Sequence, residues 1–300
     1  MKKRMVCGIL AAYLCLLAII FSLQNHSRKI PWHERYQVIC HALGCTAEGV
    51  GLTNSREAFV YNYTRGQRVF EADIQITKDG VMVLRHDWDS DLGQEEAFGW
   101  TEDRRGPVTE EEFLNAPIYG QYTPLTLEDW FGIMETHPDI WLVTDTKYSP
   151  EVEKQFRLFV DTAVDNGYED VLSRVIVQIY YKEMYDEVRA VYPFENILLT
   201  LYYIGYPLGE AGEAEALKDF MAGNGIPVLT MPSGWWSEEI EKDLADSGIK
   251  VFVHTVNDGA EARQRLTEGI SGIYTDVILP AEFERWRQET KERESVITGD

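Results

Sequence analysis

From residue 37 onward, short apolar runs alternate with stretches of helical period. The apolar runs fall at 37–41, 69–76, 140–146, 174–178, 196–201, 227–230, 250–255 and 272–275. Between them, positions 55–64, 126–135, 151–166, 182–191, 211–222, 237–247 and 261–268 carry the spacing of amphipathic helices. Strands that alternate with helices build a parallel sheet, and eight such units close a (β/α)8 TIM barrel. The pattern therefore predicts an α/β barrel over residues 37–290, followed by a charged tail at 291–300.

Two features interrupt the alternation. Asp79-Gly80 is a tight-turn dipeptide between two apolar segments, which predicts a β-hairpin extending the second strand. Residues 87–122 then show no clear period and are expected to form a long loop over one end of the barrel.

The amino terminus has a different pattern. Met1-Lys2-Lys3-Arg4 precedes an uncharged apolar run at 5–23, and a polar tether follows at 24–36. At ~1.5 Å per residue such a run spans a ~30 Å hydrocarbon layer. It is expected to be a transmembrane helix, with the basic end cytoplasmic and the barrel exported. A cleaved signal peptide, giving a secreted barrel, is the alternative, although no A-x-A-like site follows the run.

Composition narrows the partners. Acidic residues outnumber basic ones by 50 to 28, a net charge of -22. That surface repels nucleic acid, and no basic run interrupts it after Lys29. An anionic substrate remains accessible to such a protein where a bound cation reverses the local field. Cys40 and Cys45 flank His41 and could pair outside the cytoplasm or remain buried thiols.

Candidate chemistry follows from strand parity. Residues i and i+2 share a face, so Glu71 and Asp73 project together into the barrel, as do Asp145 and Lys147 on a later strand. All four sit at carboxyl ends of strands, where barrel active sites lie. Three hard carboxylates without clustered Cys or His suit Ca²⁺ or Mg²⁺. Lys147 is then placed to hold a phosphate oxygen; the alternative is an interior ion pair with no metal. His41 ends the first strand and His86 ends the hairpin, and both suit proton transfer in phosphodiester cleavage. Tyr202, Tyr203, Tyr206, Trp235 and Trp236 fall in loops bordering the mouth. They could wall a substrate site, with Trp235 a substrate-binding candidate, or simply pack the loops together.

Several motifs recur in a telling order. They are His41-Ala42-Leu43-Gly44, Thr53-Asn54-Ser55, Glu71-Ala72-Asp73, Thr77-Lys78-Asp79-Gly80 and His86-Asp87, then Asp145-Thr146-Lys147, Gln178, His254-Thr255-Val256-Asn257 and Gly272-Ile273-Tyr274-Thr275-Asp276. In this order they resemble the glycerophosphodiester phosphodiesterase family, related to the phosphatidylinositol-specific phospholipase C barrels. The resemblance implies a TIM barrel that cleaves glycerophosphodiesters with one Ca²⁺ or Mg²⁺. Glu71, Asp73 and Asp145 take its metal positions, His41 and His86 its acid/base positions, and Lys147 a phosphate contact. Gln178 and His254 match positions near the substrate.

The sequence also departs from the family. Ala42 replaces an Arg, Thr53 a Glu, Asp145 a Glu and His254 a Trp. Arg85 is the candidate for restoring the positive charge missing at Ala42. The leading expectation is hydrolysis of glycerophosphodiesters, or of glycerol-phosphate polymers, to an alcohol and glycerol phosphate. The alternatives are a phospholipase acting on intact lipids, and a catalytically silent barrel that only binds.

Overall fold

The computed structural model describes residues 30–88, 106–147, 149–209 and 212–298. The expected membrane span at 5–23 and part of the long loop therefore lie outside the described residues. Among the described residues no helix is long and apolar enough to cross a membrane. The chain divides into an N-terminal unit, Met1–Tyr36, and a second unit, Gln37–Asp300. Within the first, Trp32–Arg35 forms one helical turn.

The second unit is a closed barrel of eight parallel strands. These are β1 (Val38–Cys40), β2 (Val69–Ile76), β4 (Trp141–Asp145), β5 (Val175–Ile179), β6 (Asn196–Thr200), β7 (Val228–Pro232), β8 (Lys250–His254) and β9 (Gly272–Thr275). Each pairs with the next along the chain, and β9 and β2 both pair with β1 to close the ring. The hairpin predicted at Asp79-Gly80 is present: β3 (Met82–Leu84) runs antiparallel to β2, with Ile74 opposite Leu84 and Ile76 opposite Met82.

Sequence dictates which face of each strand meets the helices. Phe70, Ala72 and Ile74 of β2 join one core cluster with Phe59 of helix α1 (Arg56–Thr64) and with Trp130 and Met134 of α3 (Leu127–Thr136). Glu71 and Asp73, with opposite parity, are left for the interior. Both helices begin at side-chain caps. Ser55 Oγ accepts from Ala58 N–H at 3.2 Å, and Thr126 forms a reciprocal capping box with Asp129.

The long loop corrects one expectation. Residues 87–122 carry no clear period in the sequence, yet Glu110–Leu114 is a helix, α2, with a capping box between Thr109 and Glu112. Its Phe113 packs with Val83, Trp88, Ile118 and Tyr122 in a cluster separate from the main core. Five residues are too few for a helical period to register, and the anchor that orders them lies on the hairpin.

Candidate active site

Register places the acids. Asp73 and Asp145 are direct neighbours in the β2–β4 ladder, and Glu71 lies two residues back on β2. One carboxylate oxygen from each of Glu71, Asp73 and Asp145 falls within 4.8 Å of the others. Asp73 is fully buried, while beside it Glu71 and Asp145 line a cavity of about 310 Å³ together with His41, His86 and Lys147. Gln178 and His254 form other parts of its wall. A larger groove, about 560 Å³, runs between α1 and α3 on the outside of the barrel and contains none of the predicted site residues. Volume alone points to that groove; the convergence of titratable groups points to the smaller cavity.

The three acids are held differently. Glu71 is 2% exposed; its Oε2 accepts from Ala42 N–H at 2.7 Å, while its Oε1 is buried with no hydrogen-bond partner. Burial, then the Asp73 charge, pushes Glu71 up to about 8. Asp73, fully buried, accepts from Asn54 Nδ2 at 2.9 Å and from Lys147 Nζ at 2.6 Å. Burial works to raise Asp73, but the Lys147 charge, followed by those of His86 and His41, holds it well below the carboxylate range. Lys147 Nζ also donates to Asp145 Oδ2 at 2.5 Å. The ammonium therefore bridges two of the three acids, as in the ion-pair alternative, and Glu71 is left without a counter-charge of its own.

The loop after β1 is shaped for this contact. Ala42, Leu43 and Gly44 have φ of 47°, 63° and 84°, and this left-handed run turns the Ala42 N–H onto Glu71. A Cβ on Gly44 would meet Asn62 Nδ2 at 2.3 Å, so the tight approach requires glycine. Asn62 in turn donates to the Leu43 and Cys45 carbonyls at 3.1 and 2.8 Å. Cys40 and Cys45 are free, buried thiols.

His41 is oriented by a residue whose role the sequence did not disclose. Its Nδ1 is 2.9 Å from Asp276 Oδ1, and Asp276 is itself held by Asn257 Nδ2 at 2.6 Å. With Nδ1 engaged, Nε2 is the nitrogen available to the cavity. Burial would lower His41, but the Asp276 hydrogen bond and then the Glu71 charge raise it to about 9. His86 has no such clamp. Its Nδ1 lies 2.9 Å from Asp87 Oδ2, without hydrogen-bond geometry.

Tyr180 was also missed, although Gln178 and Tyr180 share a strand face. Its hydroxyl donates to Asp145 Oδ1 and accepts from the Lys147 backbone N–H at 3.0 Å. Tyr274 donates to Gln178 Oε1 at 3.3 Å, which fixes that amide.

Two predicted substrate contacts are corrected. Arg85 is 2% exposed and does not line the cavity. Its Nε donates to the Asp87 carbonyl and its guanidinium stacks 5.0 Å from the Trp88 ring centroid. Strand alternation turns it away from His86, so it does not replace the charge missing at Ala42. Trp235 is exposed but absent from the cavity wall, because the turn Ser233–Trp235 carries it outward. Its neighbour Trp236 is buried and donates to the Glu268 carbonyl at 3.0 Å. Of the predicted aromatics, only Tyr202 and Tyr203 reach the cavity.

A model of the glycerophosphoryl diester phosphodiesterase family matches residues 44–279. Among solved structures, a protein from Galdieria sulphuraria assigned as a glycerophosphodiester phosphodiesterase aligns with a TM-score of 0.65 at 17% identity, over 84% of this chain and 98% of its own. A glycerophosphodiester phosphodiesterase from Parabacteroides distasonis aligns at 0.63 and 18% identity, over 85% and 98%. An Oleispira antarctica phosphodiesterase, solved in complex with the product sn-glycerol-3-phosphate, aligns at 0.61 and 16% identity, over 85% and 96%.

Proposed function

Because this chain belongs to the glycerophosphoryl diester phosphodiesterase family, and so to the phosphoric diester hydrolases, we propose that it cleaves glycerophosphodiesters with a divalent cation at Glu71, Asp73 and Asp145 and an acid/base pair of His41 and His86. The observation that carries this reading is the convergence of three carboxylates, two of them in the wall of one cavity that two imidazoles also line. The donor set fits a hard cation: all three ligands are carboxylate oxygens, and Glu71 Oε1 is a buried acceptor lacking any partner. When bound, Ca²⁺ or Mg²⁺ supplies positive charge to a non-bridging phosphate oxygen.

The chain's own groups divide the remaining work. His41, raised to about 9, carries a proton at neutral pH and gives it from Nε2 to the departing alkoxide. Asp276 keeps the imidazolium upright and stabilises its charge. His86, on the same cavity wall, takes the proton of the attacking hydroxyl, whether of water or of the substrate. Lys147 is the counter-charge of Asp73 and Asp145; were those acids to hold a divalent cation, its ammonium would be the group left to contact phosphate.

The test is hydrolysis of glycerophosphocholine, a polyglycerolphosphate and phosphatidylinositol vesicles, each with Ca²⁺, Mg²⁺ and chelator. Turnover of the soluble diesters is expected with either metal and falls to background with chelator. Turnover of vesicles alone supports the intact-lipid alternative. No metal-stimulated turnover of any diester removes the reading.

Tyr180 is the support of the third ligand in this scheme. Asp145 is a short side chain, and the Tyr180 hydroxyl fixes where its carboxylate points. Groups that orient metal ligands typically contribute 10- to 100-fold in affinity. Tyr180→Phe is accordingly expected to weaken Ca²⁺ or Mg²⁺ binding by about 10-fold in calorimetric titration, with Tm of the cation-free protein little changed. Unaltered metal affinity would show that Asp145 needs no such support.

A further inference from the structure

His254 ends β8 at the mouth of the barrel and lines the same cavity as the two catalytic histidines, yet the acid/base scheme gives it no task. It is half-buried, and its ring stands between two aromatic walls. Tyr274 packs edge-on at 5.8 Å between centroids, and Tyr202 lies at 6.2 Å with a 43° tilt. Both contacts are made through ring faces and edges. Among the described residues, no hydrogen-bond partner occupies either ring nitrogen. A polar ring in the cavity wall, fixed by its neighbours and unspent on them, is arranged for a ligand.

Resting on the glycerophosphodiester reading, we infer that His254 recognises a hydroxyl of the substrate's glycerol moiety and is a specificity-determining residue. The charge state of the ring separates the possible ligands. Burial, then the His41 charge, pushes His254 down to about 4, so the imidazole is neutral at physiological pH. A neutral imidazole offers one N–H donor and one acceptor nitrogen. A hydroxyl group both gives and accepts, so it can satisfy either nitrogen. Phosphate oxygens only accept and are better served by the protonated His41 and by Lys147; trimethylammonium groups offer neither function. At about 310 Å³ the cavity is at the small end for ligand sites, suited to a three-carbon polyol phosphate.

The partners around the ring agree with a small polar guest. Thr200 and Thr255 line the same cavity as His254, as do the exposed Tyr202 and Tyr203. A site that hydrogen-bonds a substrate hydroxyl rejects an analogue lacking it, because its own polar groups are then desolvated without a partner.

The experiment compares two phosphate monoesters that differ only in hydroxyls, glycerol 3-phosphate and propyl phosphate. Each is titrated calorimetrically into the full chain with Ca²⁺ or Mg²⁺ present, for the wild type, His254→Phe and His254→Gln. The wild type is expected to prefer glycerol 3-phosphate by about 10-fold. His254→Phe loses that preference while its propyl phosphate affinity moves less than about 2-fold. His254→Gln, which keeps a donor and an acceptor, retains most of it. Thermal melts of each variant confirm the fold. A His254→Phe protein that still prefers glycerol 3-phosphate, or one that loses affinity for both esters equally, overturns the inference. Those outcomes leave wild-type turnover of glycerophosphodiesters untouched. A wild type that binds neither ester and turns over no diester removes the parent reading along with this one.

Discussion

His41→Ala is expected to lower kcat/KM on glycerophosphocholine by about 10²–10⁴-fold, the range of a positioned proton donor, while the cation-dependent rise in Tm persists. That span corresponds to about 3–5 kcal/mol of transition-state stabilisation. The two readouts separate because His41 is not among the converging acids; it touches Asp276, whose other partner is Asn257. A pH series sharpens the test. The Asp276 contact holds the His41 proton up to about pH 9, so the acid form fails only on the alkaline side. Asp276→Asn removes that charge, and the alkaline limb of the kcat profile is expected to move to lower pH. Retention of more than a tenth of wild-type turnover by His41→Ala, or an unmoved alkaline limb in Asp276→Asn, would assign proton donation elsewhere.

Glu71→Gln carries the second large effect, and its sign depends on the cation. Without metal, Glu71 is a buried acid raised from 4.5 to about 8, so folding favours its protonated form. For an acid shifted upward, that contribution to stability is complete below the unfolded value and is lost as pH rises through the folded one. Metal-free wild type is therefore expected to lose Tm between about pH 4.5 and pH 8 relative to Glu71→Gln, which stays neutral throughout. Each kcal/mol amounts to roughly 2–4 °C in a protein this size. With saturating Ca²⁺ or Mg²⁺ the order reverses, because the variant has lost a ligand and gains little from the ion. Activity falls with it, by about 10³-fold or more. Parallel melting curves for the two proteins at every pH, with and without metal, would place the cation somewhere other than at Glu71.

Much of this was legible in the sequence, for reasons that differ from residue to residue. The eight barrel strands lie within two residues of the apolar runs because strands in a parallel sheet are buried on both faces and read as continuous hydrophobic stretches. Parity assigned Glu71, Asp73 and Asp145 to the interior because a strand has no freedom in which face each residue takes. The same rule, applied strictly, turns Arg85 away from the cavity. Trp235 was misplaced because a loop has no parity to apply; the turn at Ser233–Trp235 decides it, burying Trp236 and releasing its neighbour. Asp276 sat in a recognisable motif, but its bond to His41 spans 235 positions, and nothing local to either residue announces it. Tyr180 was hidden differently. An aromatic at a strand end reads as packing, and only the register of β4 against β5 shows its hydroxyl meeting Asp145.

The bond between His41 and Asp276 joins the loop after the first strand of the ring to the loop after the last. A chain without residues 272–276 lacks the partner of His41 Nδ1, although Glu71, Asp73 and Asp145 all come from strands earlier in the sequence. Closing the ring and orienting His41 are thereby one event, since the stave that completes the barrel also carries the imidazole's carboxylate.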